Sequence, residues 1–385
     1  ERSIGTRAPE PDELSQTIRE LDILLSQVSD CLHRRAKESA DGVAEAIEQL
    51  LEDFDDPEEV RRLVDTYSSI VAATCQQAAP PRGMENRSYH FVIVDEAARA
   101  NPLDLLIPLS QARRIILVGD HAQLPQVLEP EALSTFASRR GSDVEQSLRI
   151  SLFERLFTEF QRIESRGGPR PVITLQDDFR MHPTISKFIS RTFYNGKVQA
   201  RCKLEDRQHN LDKYDNKAIG WIDVGIRAGA ESSGRSKTRE AEVNIVLAEA
   251  EDVLRRNSEF NVGIVTFYAE QAREINSRIA LWPHEWRSRV QVGTVDAFQG
   301  LEFDIVFLSA VRSNSIRDPE MLNRRVGFLS YRNRLCVALS RAKRLLVMVG
   351  DSATIAGTPN HPAVVELREL LGLCRSEEGY YELCR

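Results

Sequence analysis

The sequence predicts an α/β protein carrying two parallel sheets, and three observations lead there. Short, wholly apolar runs such as Phe91–Val94 and Ile115–Val118 have the length and continuity of strands covered on both faces. Helical patterns separate these runs from one another along most of the chain. Polar residues gather where the runs stop, which is where open α/β sheets build their sites. At 385 residues the chain exceeds one usual hydrophobic core, so two domains are the default.

Residues 1–68 read as a helical insertion or arm. Leu14, Ile18, Leu21, Leu25, Val28 and Leu32 recur at spacings of three and four and make one apolar helical stripe. Val43, Ile47, Leu50 and Leu51 mark a second helix, and Pro57 suits the first turn of a third that runs to Tyr67. Residues 69–170 read as the remainder of a first α/β domain, with strands at Ile70–Ala73, Phe91–Val94 and Ile115–Val118 and a helix over Glu145–Arg162. The SRGGPRP stretch at Ser165–Pro171 reads as the linker between the halves. Residues 171–352 read as a second domain. Its strands are expected at Val172–Thr174, Gly220–Val224, Val262–Thr266, Val290–Thr294, Ile305–Ser309 and Leu345–Val349. Residues 353–385 hold an apolar helix at Ala363–Leu373 and a polar tail read as a packing element.

Composition narrows the function class only a little. Hydrophobic residues are 42% and charged residues 28%, ordinary for a globular protein, and no run is long enough to span a membrane. Six scattered cysteines with no CxxC pair favour reduced thiols over a disulfide or zinc framework. A net charge of −7 neither marks nor excludes a nucleic-acid partner, because a sum over the chain can hide a basic groove. The chain opens on Glu1 without a Met or a signal peptide, which reads as a processed chain or a fragment, with nucleus or cytoplasm as the default location.

Asp95 and Glu96 follow the first of the apolar runs, and Gly119, Asp120 and Gln123 follow the second. An Asp at such a strand end can hold Mg²⁺, and a neighbouring Glu can polarise a water for phosphoryl transfer. Acids that merely begin a helix are the competing reading, and a single pair would not displace it. Three polar stretches of the second half add to it: DDFRMHP at Asp177–Pro183, GTVDAFQGLEFD at Gly293–Asp304, and ALSRAK at Ala338–Lys343. Singly, each is compatible with surface ion pairs and turns. No GxxxxGK[ST] phosphate loop occurs anywhere in the chain. The nearest approach, GAESSGRSKT at Gly229–Thr238, sets Lys237 two residues too far from Gly234.

Together these stretches resemble one family, the superfamily 1 helicases, and within it the superfamily 1B branch typified by the nonsense-mediated-decay helicase, senataxin and Aquarius. The resemblance rests on VDEAAR at Val94–Arg99, GDHAQLPQ at Gly119–Gln126, FRMHP at Phe179–Pro183, VGTVDAFQGLEFDIV at Val292–Val306 and VALSRAK at Val337–Lys343. It implies two RecA-like parallel-sheet domains, the first incomplete, with ATP and Mg²⁺ as cofactors and single-stranded RNA or DNA as partner. The phosphate loop would then precede Glu1. Asp95 would bind Mg²⁺, Glu96 would activate water, and Gln123 would sense the terminal phosphate. Arg180 and Arg341 would clamp the developing phosphate charge from across the cleft. Gly119 and Asp120 would shape the nucleotide side of the site, Gly300 would let backbone approach the phosphates, and Glu302 would contact the sugar. Thr74, Thr294, Asp296 and Gln299 would lie along the nucleic-acid track and contact its backbone, which gives binding without sequence preference.

The resemblance implies ATP-driven movement 5′ to 3′ along single strands. For the chain without a phosphate loop it implies little or no hydrolysis. Protein partners would meet the helical arm. A degenerate, non-catalytic scaffold is the competing class, and a small-molecule kinase is a distant third. Asp178 and Phe179 stand where the family usually has Gln and Tyr, Cys336 where it has Asn, Arg99 where it has Gln, and Phe267 where it has Pro. An acid at 178 would disfavour nearby phosphates and alter nucleotide preference.

Overall fold

The computed structural model describes residues 70–79, 88–124, 150–169, 171–234, 236–357 and 364–384. The chain divides into two compact units, Glu1–Ala78 and Ala79–Arg385. The three helices expected before Tyr67 lie outside the described residues. In the first unit, residues 70–73 form no strand and are exposed, with Ile70 89% accessible. The β-branched, apolar run there suggested a strand, but no backbone among the described residues pairs with it. A turn follows, closed by Ala78 N–H donating to the Thr74 carbonyl at 2.9 Å.

The second unit contains strands β1 (Tyr89–Val94), β2 (Ala112–Leu117), β3 (Asp177–Asp178), β4 (Gln199–Ala200), β5 (Ile219–Val224), β6 (Val262–Thr266), β7 (Val290–Thr294), β8 (Phe303–Ser309), β9 (Ala342–Gly350) and β10 (Tyr380–Cys384). Its longer helices are α1 (Pro102–Leu109), α2 (Leu152–Ser165), α3 (Pro183–Phe193), α4 (Glu240–Arg256), α5 (Ala269–Ile279), α6 (Arg332–Leu339) and α7 (Val365–Cys374). β1 and β2 pair in parallel, and β3 and β4 form a short parallel ladder. The other six strands form one sheet in the order β10-β5-β9-β8-β6-β7, parallel at every step. The expected α/β class with parallel sheets is what the chain adopts.

Alternation along the strands divides the core of the large sheet into two layers. Val306 and Leu308 of β8, with Leu346 and Met348 of β9, pack toward Ile185, Phe188 and Ile189 of α3 and Leu367 and Leu370 of α7. Ile305 and Phe307, with Leu345 and Val347, face the other way onto Val243, Val246 and Ala250 of α4 and Ile275 of α5. Helices on both faces explain why the central stretches of these strands, Ile305–Leu308 and Leu345–Val349, are apolar at every position.

Local signals account for the helix starts. Asn101 caps α1 through its side chain, which accepts from Leu103 N–H, and Pro102 occupies the first turn. The Ser151 hydroxyl accepts from Glu154 N–H ahead of α2. α4 carries Glu240 and Glu242 in its first turn and Arg255 and Arg256 in its last, matched to the helix dipole.

Two further expectations are corrected. Val172–Thr174 is not a strand: Ile173 is 86% exposed, and pairing begins only at Asp177, where β4 supplies a partner. The tail read as a polar packing element instead holds β10, which pairs in parallel with β5 along its whole length.

Candidate functional site

The carboxyl ends of β1 and β2 are tied together by backbone. Val118 N–H donates to the Val94 carbonyl at 2.8 Å, and Ala97 N–H donates to the Val118 carbonyl at 2.9 Å. Gly119 is required by this closeness, since a Cβ there would meet the Ala98 nitrogen at 3.0 Å. Asp95 and Glu96 leave β1 exposed. The Asp95 Oδ1 accepts the Glu96 N–H at 2.9 Å. Glu96 itself sits at a φ of 53°, a left-handed conformation that a non-glycine residue holds at a cost of ~1 kcal/mol and that is enriched at working sites. Beyond β2, Asp120 accepts from Ala122 N–H at 2.9 Å and from Gln123 Nε2 at 2.8 Å.

The second half supplies cations, Arg180 from the segment between β3 and α3 and Arg341 and Lys343 from the start of β9. Arg180 follows β3 and precedes α3, whose start is set by Pro183 and by His182 Nδ1 accepting from Thr184 N–H at 3.1 Å. The Arg180 Nε donates to Glu302 at 2.8 Å, and Lys343 reaches the other Glu302 oxygen at 2.6 Å. Burial would raise the Glu302 carboxyl, but Lys343 and Arg180 more than offset that and hold it below the usual carboxylate range. Arg341 stands just ahead of β9 and is 1% exposed. It donates to the carbonyls of Val337 at 2.9 Å and Leu301 at 3.3 Å, and to the Ser340 hydroxyl at 2.7 Å. Burial and the nearby Arg180 lower it to about 10, which leaves it cationic at neutral pH.

The two halves meet through side chains. Gln299 Nε2 donates to the Glu96 carboxylate at 2.8 Å, Arg341 donates to Gln123 Oε1 at 3.3 Å, and the Tyr194 hydroxyl bonds Asp120. Acids from one sheet and cations from the other thus line a single cleft. Beside it, Asp178, Phe179, Arg180, Arg207, Glu302 and Lys343 border a cavity of about 400 Å³, with the Phe179 ring 67% exposed. Asp178 is less hostile to an anion than its charge suggests, because its Oδ1 accepts the N–H groups of Arg180 at 2.8 Å and Met181 at 3.3 Å.

The structure therefore brings together Asp95, Glu96, Gly119, Asp120 and Gln123 with Arg180, Glu302 and Arg341. Gln299, which the sequence groups with Thr294 and Asp296, instead has its side chain on Glu96. Gly300 follows it at a φ of +80° with open space where a side chain would be, so the turn needs glycine. Thr294 ends β7, Asp296 follows it, and both line a different groove, of about 710 Å³, with Phe267, Tyr268, Phe328 and Arg334. There Arg334 pairs with Asp296 at 3.4 Å and stacks 4.8 Å from the Phe328 ring centre and 5.6 Å from that of Tyr331. Thr74 belongs to the other unit, where its hydroxyl exchanges hydrogen bonds with Gln77. Tyr194, Lys343 and the Phe328–Tyr331–Arg334 stack were not singled out from sequence; a basic and aromatic cluster in GFLSYRNR was the available signal for the last.

Among the described residues no three His, Cys, Asp or Glu side chains cluster as a metal site. A single carboxylate such as Asp95 suits Mg²⁺, which keeps waters and takes phosphate oxygens for its remaining positions. The cations opposite suit a polyphosphate. The donor set fits Mg²⁺ with a nucleoside triphosphate. Among the described residues Cys75, Cys202, Cys336, Cys374 and Cys384 form no disulfide, and no described helix is long and apolar enough to cross a membrane.

Parallel sheets thus place acids on one wall of a cleft and arginines on the other. The description "AAA domain" matches residues 148–353, more than half of the chain, and a second of the same wording matches residues 6–129. Probable helicase MAGATAMA 3 of Arabidopsis thaliana is 31% identical over 329 residues, which is 82% of this chain and 37% of that protein. Regulator of nonsense transcripts 1 of Caenorhabditis elegans is 30% identical across 82% of this chain and 27% of its own length. ATP-dependent helicase NAM7 of Saccharomyces cerevisiae is 30% identical across 82% of this chain and 31% of its own length. The chain belongs to the superfamily 1B helicases, in the branch of the regulators of nonsense transcripts and the sen1 helicases. It spans 27% to 37% of the length of the three relatives named.

Proposed function

We propose that this chain is the motor portion of an ATP-dependent helicase or translocase that moves 5′ to 3′ along single-stranded RNA or DNA. One observation carries the reading: carboxylates of one half and guanidinium groups of the other share a cleft and touch through Gln299–Glu96 and Arg341–Gln123. In this reading Asp95 holds Mg²⁺, which neutralises charge between phosphate oxygens when bound. Glu96, oriented by Gln299, accepts a proton from the attacking water. Arg180 and Arg341 stabilise the charge that spreads over the transferred phosphoryl group, an interaction worth most in a site that excludes water. Gly119 and Asp120 set the loop that carries Gln123. Glu302 meets the sugar and Gly300 lets the backbone approach the phosphates. Opening and closing of the cleft would then move a strand held through its backbone by Thr294 and Asp296. The aromatic rings of Phe328 and Tyr331 beside this pair can stack on bases of any sequence.

The test is ATP hydrolysis by the chain with and without single-stranded RNA or DNA. A slow, strand-stimulated rate is expected, since no Lys stands in a GxxxxGK[ST] loop. Glu96→Gln should reduce it to background. Arg341→Ala should do the same while leaving nucleotide binding within about threefold, as expected for a group that acts on transition-state charge. Hydrolysis that survives both substitutions would overturn the assignment.

A further inference from the structure

Tyr194 ends α3, the helix whose start is preceded by Arg180, so one rigid element spans from the cationic wall to the acidic loop. Its hydroxyl is hydrogen-bonded to Asp120 Oδ2 on the opposite half and lies 3.3 Å from Cys336 Sγ. The direction of every bond in this set follows from chemistry. An ionised carboxylate only accepts, so Tyr194 donates to Asp120 and turns its lone pairs toward the Cys336 thiol. Cys336 is fully buried, which pushes its thiol up to about 12 and keeps the S–H available as donor. Burial, with Cys336 and Asp120 beside it, likewise drives the Tyr194 hydroxyl far above its usual range.

Asp120 also takes the Gln123 Nε2 at 2.8 Å, which fixes the Gln123 amide with its nitrogen toward the carboxylate. The amide oxygen is thereby presented to Arg341 at 3.3 Å. The Oδ2 of Asp120 is the common acceptor of two donors, one from each half. Arg341 has independent anchors on Val337, Leu301 and Ser340, so loss of Gln123 would not displace it. What would be lost is the link between the halves.

We propose that Tyr194 is a positioning residue of this site: by donating to Asp120 it holds Gln123 in the orientation that meets Arg341, and so couples α3 to the closed cleft. The inference rests on the nucleotide-hydrolase reading above and adds a residue to it. Tyr194 lines neither of the two cavities described above. Its effect should therefore fall on the closed, transition-state-like arrangement and spare ground-state binding.

The experiment compares the affinity of the chain for Mg·ADP with its affinity for Mg·ADP plus aluminium fluoride, a mimic of the transferred phosphoryl group, using a fluorescent ADP. For the unmodified chain the mimic should tighten binding by about tenfold or more. Tyr194→Phe keeps the ring and removes one hydroxyl. It should leave ADP affinity within about twofold and abolish most of the gain from the mimic, as loss of one hydrogen bond to a charged group implies. Asp120→Asn should likewise abolish most of the gain from the mimic, and adding Tyr194→Phe to it should reduce the gain no further, because both break one link. Tyr380→Phe, a hydroxyl deletion far along the chain on β10, should retain the full gain and control for general loosening. A gain retained in full by Tyr194→Phe overturns the inference alone. No gain in the unmodified chain overturns the hydrolase reading and this inference with it.

Discussion

Phe307, in the middle of β8, is fully buried, whereas Ile93, near the end of β1, is 66% exposed. Both belong to parallel strands that deliver residues to the same cleft, and they are supported in opposite ways. Helices cover both faces of the six-stranded sheet, and Arg341 at its amino edge is buried and pinned to three groups of its own half. Among the described residues the acidic wall rests on two strands, and Asp95 and Glu96 stand exposed, with Gln299 of the other half on Glu96. The cationic wall is preorganised by its own sheet, and the acidic wall is tied to it through Gln299, Arg341 and Tyr194.

Substitutions can break this comparison. The largest effect is expected at the buried pair Arg239–Glu242, where both side chains are inaccessible and 3.0 Å apart. Arg239→Met strands the Glu242 carboxylate away from water and should destabilise the chain by about 3–5 kcal/mol in a denaturant titration. Next, Phe307→Ala should cost about 3 kcal/mol as a core cavity, while Ile93→Ala should stay within about 1 kcal/mol. Equal losses at the two positions would show that β1 is covered as well as β8 and that the contrast is unfounded.

The smallest effect is a pH dependence of the cationic half. Burial, with His209 and Arg207 nearby, lowers His182 to about 4, and its Nδ1 must stay neutral to accept the Thr184 N–H. Burial lowers His209 as well. Unfolded, such a residue takes a proton near pH 6.5, whereas folded it refuses one until about 4. Stability is therefore complete above pH 6.5 and falls as pH drops toward 4. The melting temperature should decline over that window, and His182→Asn, which keeps a cap acceptor, should flatten the decline. An unchanged slope in that variant would assign the effect to other groups.

The central strands were legible because burial on both faces writes an unbroken apolar run, as in Ile305–Ser309 and Leu345–Val349. Runs of the same kind at Ile70–Ala73 and Val172–Thr174 misled, since apolar β-branched residues report a preference for pairing but not the presence of a partner. β10 was missed for the converse reason: YYELC carries a charge and little alternation, yet a waiting edge on β5 makes it a strand. The acids and arginines of the cleft were legible by order and spacing. Gln299 was not, because a position in the chain does not tell which way its side chain turns across a cleft. Tyr194 was invisible for the same reason, with its partner Asp120 lying 74 positions away.

β10 has a consequence for the margin of the fold. All six residues of β5 are buried, and on one side their backbone is screened by Tyr380–Cys384. A buried apolar strand with one open flank is an adhesive surface, ready to recruit the same strand of another molecule. Tyr380–Cys384 thus covers the flank of β5 and itself becomes the sheet's edge, a short strand on which Glu382 places a charge.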